Sequence, residues 1–122
     1  MKKMILRKEE AISHEINEDW GSLRWLASAY LGNSDTLTVG YVMIKIGKSN
    51  PRHLHPDSEE VLYLLKGKMK HITNNDTYII NEGDTITIPP NSSHNAINIG
   101  DCNAEMIVSY PTANRKFIKV IE

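Results

Sequence analysis

The sequence predicts a single all-β domain, a sandwich or barrel, and three observations predict it. Short segments of alternating apolar and polar residues recur along the chain, each closed by Gly, Pro, Asn or Asp. No long stretch repeats with the 3.6-residue period of a helix. The chain has 122 residues, enough to enclose one core and too few for two.

Taken in order, Lys8 to Ile16 carries acidic residues and Ala11 and is the one place where a helical turn is expected. Strands are expected at Ser22–Tyr30, which alternates around Leu23, Trp25 and Ala27, and at Thr36–Ile46, rich in β-branched and aromatic residues. Glu60–Leu65, Met69–Thr73, Thr77–Ile80, Thr85–Ile88, His94–Ile99 and Ala104–Tyr110 follow, and Phe117–Ile121 closes the chain. Between them stand Lys66-Gly67, Asn74-Asn75-Asp76, Glu82-Gly83-Asp84, Pro89-Pro90-Asn91 and Gly100-Asp101, each a turn signal. No linker, internal repeat or low-complexity tract interrupts the series, and no helix-turn-helix has room.

An apolar share of 40% and a charged share of 24% describe an ordinary globular protein. A net charge of −1, with lysines and arginines scattered, gives no electrostatic reason for a nucleic-acid or membrane partner. The single cysteine, Cys102, excludes an internal disulfide framework and fits a reducing compartment. It sits in a turn, Gly100 to Asn103, with no basic neighbour to activate it. The first apolar run, Met4-Ile5-Leu6, is too short for a signal-peptide core, and no stretch could span a bilayer as a helix. The sequons at Asn75 and Asn91 are therefore read as accidental, and a cytoplasmic protein is expected.

Four residues suggest chemistry. His53, His55 and Glu60 fall within eight residues and His94 follows, and imidazole and carboxylate are ligands that divalent transition metals prefer. His-x-His alone is a weak signal, since alternate residues of any strand share a face. Pro51 and Pro56 bracket the pair and limit ladder hydrogen bonding, which suggests a strand end or bulge where side chains converge. Glu60 opens an apolar strand, where an inward carboxylate is costly without a cation. Glu59 competes with it. Glu60 shares parity with Leu62 and Leu64, Glu59 with Val61 and Tyr63, and both sides are apolar.

The two segments resemble the paired motifs of the cupin superfamily. Gly47, His53, His55, Glu60 and Gly67 match the first, G-x5-H-x-H-x4-E-x6-G; Gly83, Pro89, His94 and Asn98 match the second, G-x5-P-x-G-x2-H-x3-N. Asn91 stands where the second has glycine, and asparagine best tolerates the left-handed conformation such a turn uses. About fifteen residues separate the motifs, as in a compact cupin. The resemblance implies a double-stranded β-helix or jelly-roll barrel over residues 1–122, with His53, His55, Glu60 and His94 meeting at its mouth around one divalent ion: Mn, Fe, Ni or Zn. It also selects Glu60 over Glu59. Three neutral imidazoles, one carboxylate and the ion sum to about +1, which favours an anionic or enolisable oxygen ligand. Protonation of the histidines predicts metal loss below roughly pH 6.

Tyr41 and Tyr110 are the next candidates, as tyrosines whose buried hydroxyls need a partner, and His71 is a candidate acid–base group beside a default structural role. Tyr41 shares parity with Met43, and Tyr110 with Met106 and Val108; core packing is the default for Met43, Met106 and Trp25. Arg24 and His14 read as exposed. Cupins with this ligand set include dioxygenases, decarboxylases, isomerases, epimerase-like enzymes and lyases. The expectation is thus a metal-dependent enzyme for a small polar metabolite, and the alternative is a sensory or ligand-binding module without turnover. A homodimer is expected, with Met1 to Lys8 covering a sheet edge across a two-fold axis.

Overall fold

The structure, a computed structural model, describes residues 3–121. One short helix, α1 (Lys8–Ser13), precedes eleven strands. These are β1 (Ile16–Glu18), β2 (Gly21–Ala27), β3 (Thr38–Ile44), β4 (His53–Leu54), β5 (Glu60–Lys66) and β6 (Lys68–Thr73), then β7 (Asp76–Asn81), β8 (Thr85–Ile88), β9 (His94–Asn98), β10 (Ala104–Tyr110) and β11 (Ile118–Lys119). They form two antiparallel sheets, ordered β1-β2-β3-β10-β5-β8 and β11-β4-β9-β6-β7. The all-β expectation holds; the expected segments are strands with ends shifted by a few residues, and β1 and β4 are strands the sequence did not lead us to expect.

Strand alternation sorts the side chains. In the first sheet Val42, Ile44, Leu62, Leu64, Met106 and Val108 turn inward, and Met69, Ile80 and Ala96 of the second sheet meet them in one core. The chain crosses between sheets at Gly67. Its φ is +104°, and a Cβ there would lie 3.1 Å from the Ala104 Cα, so only glycine makes the corner without strain. Asn98, the last residue of the second motif, acts as a clamp. Its buried amide donates to the carbonyls of Ile44 and Cys102 at 2.9 and 2.8 Å, and its oxygen accepts from the Gly100 N–H. The β9–β10 bend containing Cys102 is thereby tied to β3.

The N-terminal segment differs in detail. The helix is shorter than the Lys8–Ile16 expectation, six residues ending at Ser13, and it buries Ala11. Residues 3–7 form no strand, Met4 and Ile5 are exposed, and Met1 and Lys2 lie outside the described residues. No described helix is long and apolar enough to cross a membrane.

Candidate metal centre

Beside the apolar core lies a group of buried polar side chains, His53, His55, Glu60, His71, Thr73 and His94. His53 and His94 are directly paired across β4 and β9, so both imidazoles project from neighbouring positions into the interior. His55 follows two residues after His53 and shares its side. Glu60 is the first residue of β5 and has the inward parity of Leu62 and Leu64, whereas Glu59 is exposed. The turn of the second motif supports this convergence. Asn91 adopts φ +60° and donates its N–H to the His55 carbonyl at 2.8 Å, so the two motif loops hold one another. The left-handed asparagine is as the sequence led us to expect.

All four side chains are buried, and one ligand atom from each lies within 4.8 Å of every other. Opposite ligands of a single ion at about 2.0–2.2 Å are about 4 Å apart, so small side-chain adjustments suffice to close the set on a metal. The hydrogen bonds supply the chemical test. Nδ1 of His53, His55 and His94 lies 2.7, 2.7 and 2.8 Å from the carbonyls of Pro51, Lys116 and Ser92. A carbonyl only accepts, so each Nδ1 carries the proton and each neutral ring has a bare lone pair on Nε2. Two of those lone pairs, on His55 and His94, face Glu60 Oε1 at 3.2 Å. Lone pairs facing a carboxylate repel unless a cation lies between them, or a second proton sits on each ring. His55 Nε2 in fact lacks a partner with hydrogen-bond geometry despite this distance. The donor set therefore fits a divalent cation.

Electrostatics points the same way. Burial alone would push the Glu60 carboxyl up; a second proton on the His55 and His94 rings outweighs it and holds the carboxyl well below the usual carboxylate range, and a cation between them would act in the same direction. Burial lowers the His53 imidazole from 6.5 to about 4, assisted by the neighbouring His94. Burial likewise lowers His71 to about 4, again with help from His94. His53 thus remains unprotonated at lower pH than its reference value of 6.5 implies.

A cavity of about 600 Å³ opens beside the cluster, with His53 and Glu60 in its wall. Tyr110 stands beside the same cluster, its ring edge-on to His55 at 4.8 Å. Burial, and then the nearby Glu60 charge, raises its hydroxyl well above the usual range, so it stays protonated. His71 is fully interior, stacked at 5.6 Å on His94, with Nδ1 2.9 Å from Thr73 Oγ1. It lies behind the four-residue set rather than within it. Tyr41 is a correction. The inward set of β3 is Thr38, Gly40, Val42 and Ile44, so Tyr41 and Met43 face the outside of the sheet. There Tyr41 hydrogen-bonds Glu105 and lies under Arg24, which pairs with Glu15 at 2.7 Å. Burial and the Glu105 hydrogen bond push its hydroxyl up to about 12, and it does not line the cavity. Trp25, read as core, is half-buried and forms part of the cavity wall, while Met106 is core as expected.

The C-terminal segment supplies what the sequence did not reveal. Strand β11 pairs with β4, which brings Lys116 to hold His55 and stacks Phe117 on His53 at 4.6 Å. Arg115 enters the same cavity wall. The only local hint was a cation two residues before an aromatic, which is too common to mark a site.

The Cupin domain family model matches residues 40–110, more than half of the chain and spanning both motifs. The chain belongs to the cupin family. Among its relatives is the uncharacterized protein MJ1618 of Methanocaldococcus jannaschii, 26% identical over 121 residues, a match covering 98% of this cupin and 97% of that protein. Oxalate oxidase GF-2.8 of Triticum aestivum is 30% identical over 91 residues, covering 65% of this chain and 41% of the wheat protein. The S161A mutant of Bacillus subtilis oxalate decarboxylase superposes with a TM-score of 0.83 at 20% identity, over 91% of this cupin and 31% of that chain. Recombinant oxalate oxidase in complex with glycolate superposes with a TM-score of 0.76 at 23% identity, over 84% and 56% of the two chains. The likeness to the solved structures is one of fold, the jelly-roll barrel. This cupin spans nearly all of the archaeal relative but less than half of the wheat oxidase.

Proposed function

We propose that this cupin is a metalloenzyme, holding one divalent transition ion on His53, His55, Glu60 and His94 and acting on a small anionic metabolite. The carrying observation is the convergence of imidazole lone pairs and a buried carboxylate on one point in the wall of an open cavity. A buried structural site would be closed by packed side chains; here one side faces space that a ligand can enter. Manganese, iron, nickel and zinc all suit this donor set. Manganese is favoured by the Mn(II) centres named for the similar Bacillus subtilis oxalate decarboxylase.

When bound, such an ion supplies Lewis acidity or a site for oxygen activation. The chain's own residues do the rest. Pro51, Lys116 and Ser92 fix the three ring orientations through their carbonyls, and the Tyr110 hydroxyl offers a proton that burial keeps in place. Phe117 shields His53 from water. His71 supports the orientation of His94 by stacking, and acid–base work by it would have to pass through that ring. A homodimer in a reducing compartment belongs to the same reading. Its support is the exposed Met4 and Ile5, the partly exposed Val61, Tyr63 and Leu65 on one side of β5, and the single cysteine. Sedimentation that gives a monomer at micromolar concentration would remove the dimer.

The enzyme reading is tested by incubating metal-loaded and metal-free protein with a pool of small carboxylic and enolisable acids, followed by mass spectrometry. Depletion of a member only with metal supports it. Retention of a ligand without turnover would instead support the binding-module alternative.

A further inference from the structure

Arg115 is a cation with no carboxylate in contact, and the Glu60 charge acts on it only through space. Its guanidinium lies 4.2 Å from the Trp25 ring centroid and 5.7 and 5.6 Å from those of Tyr110 and Phe117. Among the described residues it forms no ion pair and no hydrogen bond, and burial lowers its pKa. Arg115 is half-buried, so aromatic faces compensate its lost hydration only in part, and no protein acceptor takes its planar N–H donors, which solvent still reaches. That fork matches the two oxygens of a carboxylate. The acidic side chains near the cavity do not serve. Glu18 and Asp19 are exposed at its rim, and Glu60 faces the imidazoles.

The same cavity has mainly apolar walls, with Leu23, Trp25, Leu62 and Val108 on the first sheet and Trp20 in the turn between β1 and β2. At about 600 Å³ it falls among sites that take ligands of drug-like size. A two-carbon diacid such as oxalate would leave most of it to water against apolar surface. One aromatic ring, Phe117, touches both Arg115 and His53, so an anion on Arg115 lies close to the metal cluster.

We propose that the cavity takes an organic monoanion with an apolar, preferably flat body. Its acidic head is held by Arg115 beside the metal cluster, and its body lies on the Trp20, Trp25 and Leu62 wall. The proposal deepens the metalloenzyme reading and rests on it only for what the head faces.

The test is calorimetric titration of the full-length protein, metal-loaded and metal-free, with cinnamate, cinnamamide and oxalate as probes. The indole N–H resonances of Trp20 and Trp25, the chain's only tryptophans, report where the probe sits. Cinnamate is expected to bind at least about tenfold more tightly than cinnamamide or oxalate and to shift both indole signals. Arg115→Gln is expected to abolish the preference for acid over amide while leaving amide affinity within about twofold, and Arg115→Lys to keep part of the preference. Equal binding of acid and amide to wild type, tightest binding by oxalate, or equal weakening of both probes by Arg115→Gln would overturn the proposal. Should Arg115→Gln not fold, the wild-type and Arg115→Lys titrations decide it alone. Metal content is measured on the same samples. A protein that takes up no metal defeats the metalloenzyme reading, whereas the acid preference of the metal-free form still decides the role of Arg115.

Discussion

A carboxylate only 4% exposed, facing rings whose Nδ1 protons are already engaged, is stabilised either by a metal or by further protons on those rings. Metal and protons therefore compete, and the acid behaviour of the metal-free protein follows. His53 and His71 sit at about 4 when folded and near 6.5 when unfolded. Between those values the unfolded chain binds more protons, so stability falls as pH drops from 6.5 towards 4. The Glu60 shift has the opposite sense. Its contribution is present above the ordinary carboxylate value and is lost only as pH falls through its lower folded value, so it does not offset the histidines above pH 4.5. Urea unfolding of metal-free protein is expected to show a loss of a few kcal/mol between pH 7 and 4.5. Added metal should raise stability at pH 7 in proportion to the logarithm of its concentration. A flat profile over that pH range would show that these imidazoles are not buried as described.

At the scale of the element, β2 and β3 illustrate how backbone positions the cavity. Gly40 faces Trp25 across the pair, and a Cβ at Gly40 would lie 2.5 Å from the indole. The glycine lets the ring lie against the strand, where it also receives Arg115. Gly40→Ala is expected to cost about 1–3 kcal/mol in thermal or denaturant unfolding, by forcing Trp25 off its position. An unchanged midpoint would mean that the indole has room to move. Elements of this kind also show what was legible in the sequence. Asn91 could be read as left-handed because few residues accept that conformation, and it is. Alternation could not separate Glu60 from Glu59, because β5 carries Val61, Tyr63 and Leu65 on its outer side as well as leucines within. The same two-sided apolar pattern hid the outward direction of Tyr41 on β3. Strands β4 and β11 have two residues each and so carry no alternation at all.

At the scale of the molecule, two sheets built from local hairpins and crossings meet a C-terminal segment that returns to the site from the far end of the chain. That long-range pairing has no local signature, which is why Arg115, the Lys116 carbonyl and Phe117 could not be placed from the sequence. It also makes a prediction. Ending the chain after Asn114 removes none of the four ligands, yet it takes away the acceptor that orients His55 and the ring that covers His53. Metal affinity is expected to fall about 10–100-fold while the far-ultraviolet spectrum stays β-rich, as loss of a ligand's supporting hydrogen bond does elsewhere. Undiminished affinity in the shortened protein would assign the segment no part in the site.

Elemental analysis of the untagged protein, with His53→Ala and Glu60→Ala beside it, tests the four-residue centre most directly. The wild type should carry about one divalent transition ion per chain and each variant, still folded, a small fraction of that. The same metal content in wild type and variants would contradict the centre described here.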